Sequence, residues 1–143
     1  MRALSYGLAM LCAAAVAACS TGLPRGPGPA EASMAVSEDH FDLANELNRR
    51  LTALDWRLVP YTPESVTGAD AALAERARYR LENISSRVGS CGAAVDQFAY
   101  HLRVIDNRSG DAVLTLKGSG CEGQVGDRFE RYMRREGLQP APR

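Results

Sequence analysis

Two cysteines, Cys91 and Cys121, bracket a segment, FAYHLRVIDNRSGDAVLTLKG, whose apolar residues recur with period two. Phe98, Tyr100, Leu102 and Val104 fall on one side of an extended chain, and Ala99, His101, Arg103 and Ile105 on the other. Leu114 and Leu116 repeat the pattern on the return, against Val113, Thr115 and Lys117. Between the two runs, Asp106-Asn107-Arg108-Ser109-Gly110-Asp111 supplies side chains that bond their own backbone and a glycine suited to a left-handed position. The pattern predicts one β-hairpin around which the folded part must pack. With Ile105 opposite Ala112, counting outward puts Cys121 near Asp96. Cys91 then reaches it only if Gly92-Ala93-Ala94-Val95 fold back, or if Cys91 comes from a neighbouring strand. A Cys91–Cys121 bridge would close a loop of about thirty residues and stabilise by about 3.5 kcal/mol, a large share of the total for a domain of this size. Two reduced thiols are the other state open to such a pair. The chain has two histidines, His40 and His101, and no C-x-x-C, so no metal-ligand spacing is present.

The redox compartment decides between bridge and thiols, and the first residues speak to it. Arg2 is followed by an apolar run from Ala3 to Ala18 without an acid, short for a spanning helix and ending in small residues. The stretch Val16-Ala17-Ala18-Cys19-Ser20 resembles the lipobox of bacterial lipoproteins, with valine where leucine is commonest. The resemblance covers the leader and tether alone. It implies cleavage before Cys19, lipidation of Cys19, and anchoring by acyl chains. Ser20 resembles the sorting pattern for the outer membrane, with the folded part facing the periplasm. An ordinary secretory cleavage and an uncleaved anchor helix are the alternatives. Under the lipoprotein reading Cys12 leaves with the leader, and Cys91 and Cys121 remain as one pair in an oxidising space.

The domain boundaries follow: leader 1–18, a flexible Pro/Gly-rich tether 19–36 containing Pro24, Pro27 and Pro29, a folded domain 37–138 and a disordered tail 139–143. Removing the leader takes Arg2 from the 17 basic residues and leaves 16 against 17 acidic, a balance of −1. Such neutrality makes no electrostatic case for nucleic acid.

Within the domain, Ser37 is a candidate N-cap, with Glu38 and Asp39 where negative charge favours a helix start. Phe41, Ala44, Leu47, Leu51 and Leu54 form an apolar stripe, with Asp42, Glu46 and Arg49 on the opposite side. Trp56 to Tyr61 reads as a short strand at a sheet edge, closed by Pro60 and Pro63. Thr62 to Ala69 is a loop, and Ala71 to Glu75 a brief helical turn. Arg76 to Glu82 alternates charged and apolar, a strand with Ala77, Tyr79 and Leu81 inward. Near the end, Asp127 and Glu130 have the spacing of a reciprocal helix cap. Val125, Phe129, Tyr132 and Met133 share one stripe there, and Gly137 stops the helix. Arg128, Arg131, Arg134 and Arg135 fall on its outside.

The fold class expected is α+β: an antiparallel sheet of about four strands, an N-terminal and a C-terminal amphipathic helix, and one disulfide. No nucleophile elbow, glycine-rich phosphate loop or paired carboxylates mark a catalytic or cofactor site. The candidate interaction surface is the arginine face of Arg76, Arg78, Arg80 and the loop residue Arg108, suited to an acidic partner; a solvated sheet face is the plainer reading. The functional expectation is a non-catalytic, lipid-anchored protein that binds another envelope protein in an assembly or accessory role. A disulfide-braced module that inhibits a hydrolase through the Arg108–Ser109 loop, or captures a small ligand, is the alternative.

Overall fold

The structure, a computed structural model, describes residues 32–38, 42–62 and 76–140. The leader, Cys19, His40, Phe41 and the helical turn expected at Ala71 to Glu75 lie outside the described residues. The described elements are β1 (Ser33–Ser37), α1 (Asp42–Ala53), β2 (Arg57–Tyr61), β3 (Tyr79–Ser90), β4 (Asp96–Asp106), β5 (Ala112–Cys121) and α2 (Glu122–Arg135). The strands form one sheet in the order β2-β1-β3-β4-β5.

The expected hairpin is β4–β5, and Ile105 does lie opposite Ala112. A bulge at Val104/Ile105 shifts the ladder by one residue, so Cys121 faces Gln97 instead of Asp96. Phe98, Tyr100, Leu102, Val104, Leu114 and Leu116 all point into the core. Ala77, Tyr79 and Leu81 are buried as the alternation requires. β3 runs on to Ser90, well past Glu82, and pairs along its length with β4.

Two features correct the sequence reading. The sheet is mixed and five-stranded, not antiparallel with about four strands, because β1 runs parallel to both its neighbours. Parallel neighbours need a crossover, and α1 supplies it between β1 and β2. The tether therefore gives way to structure before Val36: Ser33–Ser37 is an inner strand with Met34 and Ala35 fully buried. Ser37 ends this strand and is not a helix cap.

Both helices pack on one face of the sheet. Leu43, Leu47 and Leu51 of α1 and Val125, Phe129 and Met133 of α2 interdigitate with Met34, Leu81, Leu102 and Val104. Trp56 closes the base of this core edge-on against Tyr79, their ring centres 5.5 Å apart. On the opposite face Ala35 and Ala77 form a small second cluster with Val59 and Tyr61.

α2 begins six residues earlier than the Asp127–Glu130 spacing suggests, directly after Cys121. The chain leaves β5 at the disulfide and turns straight into the helix, so no reciprocal cap forms, and Asp127 and Glu130 face α1. The helix ends as expected at Gly137, whose φ of 68° is left-handed. Leu138 N–H donates to the Met133 carbonyl and Gly137 N–H to that of Arg134, which satisfies two terminal carbonyls and buries Leu138 over Met133.

Candidate functional site

The arginines singled out by the sequence gather at the end of the sheet where β1 begins. Arg78 ion-pairs with Asp106 at 2.5 Å, and its N–H donates to Ser33 Oγ. Arg80 donates to Glu82 and to Asn107 Oδ1, and Arg103 reaches the other oxygen of Glu82. Asn107 Nδ2 donates to the Ala77 carbonyl and Asp106 Oδ1 accepts the Arg108 N–H. Arg78 and Arg80 thus brace the β4–β5 turn against the start of β3. Arg76 and Arg108 stand exposed at the same end.

His101 occupies the sheet face away from the helices, opposite Ile84 on β3 and Lys117 on β5. Partial burial and the nearby charges of Lys117 and Arg103 push its pKa below the ordinary value, with Glu82 opposing them. Among the described residues no group of His, Cys, Asp and Glu is arranged to hold a metal. Nor is any helix among them long and apolar enough to cross a membrane.

A second charged cluster, which the sequence reading missed, lies between the helices. Glu46, expected on the outer side of α1, is buried with 6 % of its surface exposed. Its carboxylate accepts Arg50 Nε at 2.7 Å and Arg49 Nε at 2.9 Å. Burial pushes the Glu46 pKa up, but the hydrogen bonds from Arg50 and Arg49 outweigh that and hold it below the ordinary carboxylate value. Arg50 bridges to α2 as well, reaching Asp127 at 2.7 Å and Glu130 at 3.2 Å. The helix pair is therefore joined by a cation from α1 and acids from α2. The available signal was Gly126, which lets Glu46 approach α2 closely. A hollow of about 630 Å³ lies alongside, lined by Gln124, Asp127, Arg128, Glu130 and Arg131.

The third feature is an arm. Beyond Arg80, no described strand pairs with β3 on the side of β1, so β3, β4 and the end of β5 project as a three-stranded extension. Ile84, Val88 and Val95, the large apolar residues most exposed among those described, all lie on it. The arm is held by the Cys91–Cys121 disulfide, whose Cα atoms are 5.9 Å apart. Cys91 follows β3, and Gly92–Val95 reverse the chain, with Cys91 N–H donating to the Val95 carbonyl at 2.7 Å. Arg87 pairs with Asp96 across the same hairpin.

No family model and no curated protein matches the chain. Among solved structures, it is similar to the PelC dodecamer from Paraburkholderia phytofirmans, with a TM-score of 0.52 and 13 % identity over 82 % of this chain and 95 % of that one. A point variant of the same PelC dodecamer gives a TM-score of 0.52 and 14 % identity, covering 85 % of this chain and 96 % of that one. A minor lipoprotein from Acinetobacter baumannii aligns with a TM-score of 0.32 and 15 % identity, over 76 % of this chain and 84 % of that one. At these identities the PelC likeness establishes a common fold.

Proposed function

We propose that the protein is a non-catalytic, lipid-anchored component of the outer membrane that faces the periplasm, assembles with copies of itself, and in that form binds another envelope protein. The observation that carries this reading is the fold held in common with PelC, a protein whose crystals contain a dodecamer. The lipobox-like stretch ending in Cys19 supports the anchor. The described surface supports a binding role: its polar clusters hold structural elements together, and its exposed apolar residues collect on one arm.

Purification of the full protein from envelopes in mild detergent tests the proposal. Intact-mass measurement should find Cys19 as the acylated first residue, and light scattering should give a particle of two or more copies. Crosslinking in intact envelopes should then retain a second envelope protein. An unacylated Cys19 refutes the anchor, and a single-copy particle refutes self-assembly.

A further inference from the structure

We propose that the arm is the self-association element, the open edge of β3 from Ile84 to Ser90 pairing antiparallel with the same edge of a second copy. The inference rests on the self-assembly proposed above and names the surface responsible. A strand edge without a neighbour presents a row of backbone donors and acceptors, which an extended strand satisfies. β1 accompanies β3 only as far as Met34–Tyr79 and Ala35–Arg80, so the outer edge of the following residues has no partner strand among those described.

The side chains on that edge select the occupant. Ile84 is 67 % exposed and Val88 55 % exposed, the latter at the bulge between Arg87 and Gly89. An antiparallel pairing about a two-fold axis near Ser86 brings Ile84 of one copy beside Val88 of the other, so apolar surface meets apolar surface twice. The free edge of β5 offers Thr115, Lys117 and Ser119 and would leave these aliphatic groups without apolar cover. β2, at the other margin, carries Pro60, which cannot donate to a ladder. A two-fold contact needs one self-complementary patch, and β3 carries one. The arginine on that edge already has a partner, since Arg87 pairs with Asp96. The disulfide holds the arm in shape before contact, so little ordering opposes association.

The test uses the full protein in detergent and three sets of variants. Ile84→Lys with Val88→Lys should weaken association by about 100-fold or more, the effect of withdrawing both aliphatic pairs, while leaving the circular dichroism melt in place. Ser86→Cys, at the axis, should give a dimer linked through the new cysteine, with Cys91–Cys121 intact by peptide mapping. Ser109→Cys, at the far end of the sheet, should give none. If the wild type assembles but the lysine variant keeps its mass and the Ser86→Cys variant does not crosslink, the arm proposal is overturned and assembly uses another surface. If the wild type is a single copy at all concentrations, both proposals fall.

Discussion

Replacing Gly126 by alanine should destabilise the domain even though alanine is the better helix former. A Cβ at Gly126 would lie 2.6 Å from Glu46 Oε1, 3.0 Å from its Cγ and 3.2 Å from Arg50 Nε. In an exposed helix interior the exchange of glycine for alanine would gain about 1 kcal/mol. Here the methyl group must push aside a buried carboxylate or separate the helices, an overpacking cost of about 1–3 kcal/mol. Displacing Glu46 also disturbs its bond to Arg50, and a buried charge that loses its partner costs about 3–5 kcal/mol. Arg49 adds little, because its side chain is 67 % exposed. Allowing for partial relaxation, the net loss is about 2–3 kcal/mol, or about 10–20 °C in Tm. Urea unfolding with the disulfide intact measures it. Gly123→Ala is the control: it lies in the same helix with nothing within 4 Å of the new Cβ, and it should be neutral or slightly stabilising. Adding Glu46→Ala to Gly126→Ala should recover part of the steric cost, giving a double-mutant coupling of about 1 kcal/mol or more. If Gly126→Ala matches Gly123→Ala, the helices do not meet through Glu46 and the packing argument is wrong.

Replacing Cys91 and Cys121 together by serine should lower stability by about 3.5 kcal/mol, from the loop closed across a sequence separation of 30; a loss under about 1 kcal/mol would mean that the unbridged chain is already ordered there. Acid should weaken the helix pair. Glu130 is held below its ordinary pKa first by the hydrogen bond from Arg134 and further by Arg50, against the opposing effect of burial, and Glu46 is lowered as well. Both contributions are therefore present above the unfolded carboxylate value near 4.5 and are lost as pH falls through the lower folded values. Urea midpoints should drop between about pH 5 and about pH 3, and the Glu46→Gln protein should show a shallower drop. His101 should titrate below 6.5 by NMR, and Lys117→Ala should move its midpoint upward; an unchanged midpoint would remove Lys117 as a cause.

What the sequence disclosed tracks how local the determinants are. The β4–β5 pairing follows from period two and one turn, both contained in about twenty residues, and it was legible; the one-residue shift at the Val104/Ile105 bulge was not. So was the inward set Ala77, Tyr79 and Leu81. β1 was not, because SMAVS has two large aliphatic side chains among small residues and follows a proline-rich run. Its burial comes from β2 and β3 flanking it, a non-local fact. Glu46 was misplaced for a similar reason: on the helical wheel it sits with Asp42 and Arg49, and only the approach of Gly126 from a distant segment brings it inside. Asp127 and Glu130 have the spacing of a cap, yet partners on α1 compete for the same carboxylates. The arm was visible in part, since the cysteine pair pointed to a fold-back at Gly92–Val95. Its open edge depends on where β1 stops, which no short pattern reports.

The position of β1 has a mechanical meaning. Any tension reaching the domain from its amino-terminal side enters through a strand clasped on both flanks by parallel neighbours. Such a pull acts along the strand and loads both ladders in shear at once, whereas a marginal strand could be peeled away one bond at a time. The domain therefore takes strain at a strand that is held on both sides rather than at a margin.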